Sequence, residues 1–506
     1  MKSKHIILIA GTMATLSLSC KKFLDKQPYS QATDQTTWQS EGDANASVAA
    51  CYSLIRSAFN AAITYYTYGD LPSDEFSSIV SGPSVASYSD IQSMTWNTSI
   101  PYTNTGDPRL QCRTYTNFYT AIAQSNRCLY YINNMPASVF SGTDAPSQQA
   151  SKNRYIAEAY FTRAFNYFYM ARVWGDVPLI TAYDQDVSAS PQLPRSPQNA
   201  ILTQCIADLT IAKSYMGWND QPNPADIGFR ADKGAVFALM AHIYAWKGNY
   251  DSCSMACDSI ILSGPYQLAD RNNYRSIFNT TSTENIFAIA QNQQSESIVV
   301  SASISGVTLA APYLPGVSAP GWQINTNTLY GLFDDTTNDL RYKNAFTLLS
   351  NGGIPTPECI KYSTIQNINN NSAYQVAENN IIIFRLADIE LLKAEALAAR
   401  TNPDLPGAMT FVNAIRTAAG LPTMLSAGTR DSVLNYVMDE RGRELFLEGH
   451  RFYDLIRLER LTGQQTNTNI NTAEFAAGKY YWPVDPSLFL TNSKLTQTPF
   501  WKGKIQ

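Results

Sequence analysis

The feature that most constrains the fold is an alternation of aromatic rings with alanine at helical spacing. In RYIAEAYFTRAFNYFYMARVWGDVPLI (154–180), Ala157, Phe161 and Ala164 fall on one face. Small residues among large rings let two helices approach closely. Gly175 can take the left-handed conformation that ends a helix. The segment therefore predicts a helix that ends at Gly175 and packs tightly against neighbouring helices.

The same periodicity predicts helices over most of the chain. Two of the predicted segments are helix pairs joined by short turns, and each pair is about as long as a tetratricopeptide unit. The predicted helical segments are 45–60, 115–133, 199–215, the pair 233–262, the pair 384–416, 431–448 and 451–459.

Two regions between the helices are rich in Ser, Thr, Asn, Gly and Pro. Residues 61–108 read as long loops, and so does most of 264–380, with short strands expected at 285–290 and 379–384. Long loops in a compact protein are usually functional or disordered. The sequence therefore predicts a mainly α fold of irregular helix pairs, with long loop-rich insertions that form a ligand face.

The N-terminus has the pattern of an export signal. Lys2 and Lys4 precede a short apolar stretch, IILIAGTMATLSL, which ends just before Cys20. The stretch is too short to span a bilayer comfortably, and SLSC is similar to a bacterial lipoprotein signal. We expect residues 1–19 to be removed, Cys20 to be lipidated and 20–44 to be a tether, although ordinary secretion with cleavage nearby is the alternative.

Charge and cysteine content exclude some functions. The net charge is −4 with no long basic run, so nucleic-acid binding is not expected. Seven cysteines follow Cys20, an odd number. Cys253 and Cys257 are four residues apart, a spacing that could suit a metal site. Because no further His or Cys lies near them in sequence, buried thiols are favoured. We expect no metal and no cofactor.

The stretch DERGRELFLEGHRFYDLIRLERL (439–461) could be either an active site or a helix corner. It places Glu440, Glu444 and Glu448 at intervals of four, next to His450 and several arginines. Acids and guanidiniums alternate at three- and four-residue steps, which favours ion pairs along and across helices. Catalysis would instead need groups whose pKa values are driven apart in an open pocket. We therefore assign the stretch, including His450, to structure.

The same stretch resembles the C-terminal signature of the SusD/RagB family, nutrient-binding outer-membrane lipoproteins of the Bacteroidetes. The resemblance extends along almost the whole chain in matching order. It is carried by SCKKFLDKQP (19–28), the segment 154–180, FRLADIELLKAEAL, VNAIRTAAGLP and YYWPVDPSLFLTNSKLTQTPFW (480–501).

The resemblance implies a scaffold of four tetratricopeptide-like helix pairs with a loop-rich face. It implies an N-terminal helical region at 45–263 and a C-terminal region at 264–506. It also implies a lipid anchor on the outer membrane, exposure at the cell surface and a TonB-dependent, SusC-like transporter as partner. The usual cargo of such proteins is an oligosaccharide, and one branch captures peptides instead.

No family motif fixes the residues that contact ligand, so loop context nominates them. Sugar recognition needs flat apolar rings together with polar groups for the hydroxyls. The candidates are Trp96, Asn97, Tyr313 and Trp322, while Asp74 matches a recurring family pattern and is expected near the site. The alternative for each Trp, favoured by the high average burial of this residue type, is that it plugs the base of its own loop.

Two other classes of function remain as alternatives. The sequence has no G-x-S-x-G, H-E-x-x-H, Walker A or G-x-G-x-x-G pattern, so we do not expect an enzyme and nominate no catalytic residue. A glycoside hydrolase with two carboxylates distant in sequence is less favoured. A purely structural helical adaptor would not require long aromatic-bearing loops.

Overall fold

The structure is a computed structural model that describes residues 37–96, 106–184, 192–291, 296–351, 354–368, 374–425 and 428–505. The predicted mainly α fold is confirmed. The described α-helices are α1 (Glu41–Asn60), α2 (Thr64–Gly69), α3 (Val85–Gln92), α4 (Pro108–Arg113), α5 (Thr116–Asn134), α6 (Ala145–Trp174), α7 (Gln198–Tyr215), α8 (Lys233–Trp246), α9 (Tyr250–Ser263), α10 (Ser276–Asn279), α11 (Ile304–Thr308), α12 (Thr326–Leu332), α13 (Leu340–Ala345), α14 (Leu386–Ala399), α15 (Leu405–Ala418), α16 (Arg430–Glu444), α17 (Arg451–Thr462), α18 (Thr472–Ala476) and α19 (Ser487–Thr491).

The long helices form four packed pairs. These are α1 with α5, α6 with α7, α8 with α9 and α14 with α15. Each pair also packs on the next through α5 and α6, α7 and α8, and α9 and α14. This stacking buries the alanine-rich faces that the sequence predicts, and α16 and α17 close the C-terminal end of the row.

The predicted centre of α6 is confirmed, but the helix begins nine residues earlier than expected. Asp144 accepts a hydrogen bond from the backbone N–H of Ser147, whose side chain bonds back to the N–H of Asp144. This capping box satisfies N–H groups at the helix start. At the other end Gly175 has φ of +74°, so the predicted left-handed stop is also confirmed.

The expectation that 61–108 is only loop is wrong. The described part of this region contains α2, β1, α3 and the start of α4. α2 has six residues, all of them buried, and β1 has four. Elements of one or two turns are too short to show a period in sequence, and tertiary burial holds them in place.

The described strands form small antiparallel sheets. The predicted strands near 285–290 and 379–384 are confirmed as β2 and β9, which pair with each other. The other pairings are β1 with β4, β5 with β6, and β8 with both β3 and β7. The strand bounds are β1 (Phe76–Ile79), β2 (Asn285–Ile289), β3 (Ile298–Val299), β4 (Trp322–Ile324), β5 (Phe346–Asn351), β6 (Ile354–Cys359), β7 (Ile365–Asn367), β8 (Gln375–Ala377) and β9 (Ile381–Arg385).

One large hydrophobic core runs through the helical stack. It includes buried residues from Trp38 to Trp501, so both halves of the chain contribute to it. A second cluster fills the space between α14, α15 and α16. The seven cysteines after Cys20 are all free and buried, which confirms the expectation of buried thiols for Cys253 and Cys257.

Candidate functional site

The three glutamates of the charged stretch lie in a buried ionic network. Glu444 Oε1 accepts hydrogen bonds from Arg271 and Arg385, each at 2.7 Å, and its Oε2 accepts one from Arg341 at 3.1 Å. Glu440 is 2.6 Å from Arg341, and Glu448 is bonded to Arg385. None of the three carboxylates is accessible enough to meet a substrate, so the structural assignment of this stretch is supported.

The surrounding cations keep these acids ionised. Burial alone would raise the pKa of Glu444, but the guanidiniums of Arg271, Arg385 and Arg341 more than offset it and hold the pKa well below its ordinary value. The same balance of burial against Arg385 and Lys361 lowers the pKa of Glu448. A general acid needs a raised pKa instead, so this network has the wrong electrostatics for proton transfer.

His450 lies at the corner between α16 and α17, beside a second buried cluster. His242 Nε2 is 2.8 Å from Asp388 Oδ2, and the rings of His242 and His450 are 5.7 Å apart. Donor atoms of these three residues lie within 4.8 Å of one another, which is close enough to consider a metal ion. However, Arg441 already donates to Asp388 Oδ1 at 2.9 Å and neutralises its charge. Hydrogen bonds and ion pairs thus engage both carboxylate oxygens of Asp388 and Nε2 of His242.

The same corner fastens the loop that precedes β1. Asp74 accepts two hydrogen bonds of 2.8 Å from the Arg451 guanidinium. Both carboxylate oxygens of Glu75 lie within 3.3 Å of the Leu447 N–H, which they accept. Asp70 accepts the Gly449 N–H in the same way at 2.8 and 3.0 Å. Asp74 is thus committed to an arginine, so it positions the loop instead of offering a free carboxylate to a ligand.

Strand β1 then pairs with β4, and this pairing places Trp322 in the core. Trp322 is only 1% exposed. Its ring packs edge-on against Phe76 and Tyr88, with centroids 5.4 and 5.1 Å away. The expectation that Trp322 offers an exposed ring to a ligand is therefore wrong, because the strand pairing supplies apolar neighbours that are distant in sequence.

Trp96 is also buried, so the expectation of an exposed ring is wrong there too. It is 2% exposed and packs against Trp482 with centroids 5.0 Å apart. Its backbone φ of +52° lies in the left-handed region. Asn97, the other candidate in this loop, lies outside the described residues.

The β1–β4 pair supports one wall of an open cleft of about 520 Å³ on the loop-rich side. The Val80 N–H donates to the Gly321 carbonyl at 2.9 Å. A Cβ at Gly321 would lie 2.4 Å from the Ser81 carbonyl oxygen, so only glycine permits this close approach. The cleft, which we call the loop-face cleft, is lined by Ser81–Pro83, Val299–Ser301, Gly306, Leu314–Ala319, Gly321 and Gln375.

The opposite wall of the loop-face cleft rests on a small apolar cluster. Val300 and Leu314 are buried in this cluster, and Tyr313 packs half-buried against it. Among the candidate rings in the described part of the chain, Tyr313 is thus the one beside the cleft that keeps exposed surface. Next to Leu309 of this cluster, the Ala310 N–H donates a hydrogen bond of 3.2 Å to the buried carboxylate of Glu358.

Tyr374 was not among the sequence candidates. It is 66% exposed and directly precedes Gln375, which lines the loop-face cleft. It follows the polar run NINNNS, so the loop context that nominated Trp322 could have nominated Tyr374 as well. An aromatic residue in a polar run indicates a loop, but it does not tell whether the ring will find a partner.

The described lining of the loop-face cleft is uncharged. Its lining residues within the described ranges include no Asp, Glu, Lys or Arg. Serine hydroxyls, backbone groups and the Gln375 amide supply hydrogen bonds, while proline and valine supply apolar surface. A neutral, hydroxyl-rich ligand suits this lining better than an ion does.

None of the described helices combines the length and the apolar character that crossing a bilayer requires. Cys20, the expected lipidation site, lies outside the described residues.

Two family models match the chain. The model described as the SusD family matches residues 322–501, and the model described as starch-binding associating with outer membrane matches residues 22–245. Among curated proteins, a SusD-like protein of Formosa agariphila is 25% identical, covering 98% of this chain and 99% of its own length. A SusD-like protein of Bacteroides ovatus is 24% identical, covering 90% of this chain and 82% of its own length.

Solved structures give the same family. A SusD homolog from Bacteroides thetaiotaomicron matches with a TM-score of 0.76 and 27% identity, covering 92% of this chain and 99% of its own. A protein named as a laminarin-binding SusD-like protein matches with a TM-score of 0.67 and 21% identity, covering 91% of this chain and 99% of its own. At that identity the second likeness concerns the fold alone.

Proposed function

The chain belongs to the SusD/RagB family, and from this premise we propose that it is a surface-exposed outer-membrane lipoprotein that binds oligosaccharides. It holds the ligand in the loop-face cleft and delivers it to a partner TonB-dependent transporter. The fold, the extent of the family match and the description of the N-terminal family model as starch-binding support this proposal.

The observation that carries the proposal is the loop-face cleft itself. Its volume of about 520 Å³ falls within the roughly 300–1,000 Å³ of ordinary ligand pockets. Its walls come from both halves of the chain, and β1 and β4 fix one of them. Tyr313 and Tyr374 stand next to lining residues in sequence and keep exposed ring surface for the C–H face of a sugar.

Binding without catalysis fits the chemistry of the cleft. Hydrolysis of a glycosidic bond ordinarily uses two carboxylates that flank the bond. No carboxylate lines the loop-face cleft within the described residues, and Glu440, Glu444 and Glu448 are buried in ion pairs. We therefore propose that the cleft captures its ligand intact.

The test is oligosaccharide binding by the chain from residue 21, which retains every described residue. A glycan array gives the class of ligand, and calorimetry with maltoheptaose and laminarihexaose gives affinities. Ser318→Trp places a bulky ring in the cleft from an exposed position and is expected to weaken binding at least tenfold. Ser214→Trp, on the exposed side of α7, is the matched control.

Two outcomes contradict the proposal. Unchanged affinity in Ser318→Trp would exclude the loop-face cleft as the site. Binding of peptides together with no binding to any glycan on the array would favour the peptide-capturing branch of the family.

The anchor and the transporter need separate tests. Cys20→Ala should release the protein from the outer-membrane fraction, because stable anchoring depends on acyl chains. The test is done in cells that lack the transporter, and a variant that still pellets with the membrane there would exclude Cys20 as the anchor. Wild-type protein purified from detergent-solubilised outer membranes should carry a TonB-dependent barrel in stoichiometric amount.

A further inference from the structure

A second open groove lies outside the loop-face cleft. It consists of two connected clefts, of about 270 and about 790 Å³, which share Pro224, Phe229 and Thr281 as lining residues. We call it the 224–230 groove, after the turn between α7 and α8 that forms its middle. Apart from that turn, most of its walls come from α1 and from residues just before and after β2, and Asn219, Pro265 and Tyr266 complete the smaller cleft.

Contacts from three parts of the chain hold the turn in place. Arg230 donates to the buried carboxylate of Glu158 at 2.7 and 3.0 Å and to Asn45 Oδ1 at 2.5 Å. On the other side, the Ala288 N–H of β2 donates to the Gly228 carbonyl at 2.7 Å. The groove is therefore pre-formed, and a ligand would lose little binding energy to ordering it.

The charges in the groove are paired. Arg56 forms an ion pair of 3.0 Å with Glu296, and Arg230 faces both Glu158 and Asp226. The smaller cleft has no charged residue among its described lining residues. A charged ligand would find no unpaired counter-charge among these groups, so the groove suits a neutral one.

The uncharged end of the groove holds an unsatisfied polar group. Asn285 is 7% exposed and lines the smaller cleft, and its Nδ2 donates to the Ile277 carbonyl at 2.9 Å. Its Oδ1 has no hydrogen-bond partner among the described residues. This oxygen is inaccessible in the structure, so we assign it no contact with a ligand.

The ring of Phe229 lies where the two clefts meet. It is half-buried, so it retains exposed apolar surface, and the amides of Asn45, Asn219 and Asn223 line the groove on either side. A ring flanked by amides matches the alternation of C–H faces and hydroxyls on a sugar chain. A peptide adding to β2 as a strand is disfavoured, because the Gly228 carbonyl already takes the Ala288 N–H.

We propose that the 224–230 groove is a second carbohydrate site, separate from the loop-face cleft, that takes a segment of a neutral oligosaccharide. Phe229 supplies the stacking surface, and the exposed amides of Asn219 and Asn223 supply hydrogen bonds. The two sites together would let one protein hold a long polysaccharide at two points, which raises its avidity without new contacts at either site.

The experiment uses the chain from residue 21 and the same two probes, maltoheptaose and laminarihexaose. Thr281→Trp adds bulk from an exposed position shared by both clefts, and Thr210→Trp on α7 is the matched control. With the loop-face cleft blocked by Ser318→Trp, residual binding to at least one probe is expected. That residual binding should fall at least tenfold when Thr281→Trp is added and stay unchanged with Thr210→Trp.

Phe229→Leu keeps apolar bulk while removing the ring, and it should weaken the residual binding about fivefold with an unchanged melting temperature. The proposal is overturned if Ser318→Trp alone abolishes all binding, if residual binding survives Thr281→Trp, or if neither probe binds the unaltered chain. Loss of binding through Thr281→Trp with no effect of Ser318→Trp would support the groove and contradict the loop-face cleft.

Discussion

Asp74 and Arg451, 377 positions apart in the chain, are joined by two hydrogen bonds of 2.8 Å each. Burial alone would raise the pKa of Asp74, but the Arg451 guanidinium more than offsets it and holds the pKa below its ordinary value. Arg451 is the first residue of α17, and Asp74 lies two residues before β1. The pair therefore ties the helix corner to the strand that supports the loop-face cleft.

Asp74→Ala should destabilise the fold by about 2 kcal/mol, because it leaves the buried Arg451 guanidinium without its carboxylate. Urea unfolding followed by circular dichroism measures the change. Asp431→Ala is the control, since Asp431 and Arg430 form a longer, more exposed pair of 3.6 Å that should contribute less than about 1 kcal/mol. Equal effects of the two substitutions would show that the buried pair contributes no more to stability than the exposed pair does.

Trp322→Ala should lower the free energy of unfolding by about 3–5 kcal/mol, because it removes a buried ring from between Phe76 and Tyr88. Differential scanning calorimetry should show a clear fall in melting temperature. Tyr374→Ala is the contrasting variant: its ring is exposed, so the melting temperature should hardly change. A Trp322→Ala protein as stable as the unaltered chain would mean that this ring is not part of the core.

The helices could be predicted because their evidence is local. A helix repeats every 3.6 residues, so α7, α8 and α9 carry their buried faces within their own sequence. The number of helix pairs was predicted from the family resemblance, and not from the periodicity. Boundaries were less certain, since the start of α6 depends on the cap between Asp144 and Ser147 and not on its apolar face.

The site could not be predicted equally well because its evidence is not local. Trp322 has prolines and glycine before it and polar residues after it, which indicates a loop. Its burial arises from β1, about 240 residues earlier in the chain, whose pairing with β4 brings Phe76 against the ring. Trp96 is likewise buried by Trp482 from the far end of the chain. A single sequence does not reveal such partners.

His450→Ala should destabilise the fold by about 2–4 kcal/mol and leave oligosaccharide affinity unchanged. Burial lowers the pKa of His450 to about 4, so at neutral pH the substitution removes an uncharged ring packed near His242. Thermal melts and calorimetric titration on the same protein separate stability from binding. Weakened binding at full stability would contradict the structural role of His450 and reopen the question of a functional site at the helix corner.

Glu358 should make stability fall as pH rises. It is fully buried, one carboxylate oxygen has no hydrogen-bond partner among the described residues, and burial raises its pKa from 4.5 to about 7. Between pH 4.5 and about pH 7, the Glu358 carboxyl is ionised in the unfolded chain but keeps its proton in the folded chain. The folded state therefore binds more protons than the unfolded state, and this difference stabilises the fold. The stabilisation is complete below about pH 4.5 and lost above about pH 7.

Glu358→Gln removes this titration while keeping the shape of the side chain. Relative to the unaltered chain, the variant should gain roughly 1–3 kcal/mol of stability on going from pH 5 to pH 8. Urea unfolding of both proteins at the two pH values measures the difference, and changes common to both proteins cancel. A stability difference that is the same at both pH values would mean that Glu358 is already ionised in the folded protein at pH 5.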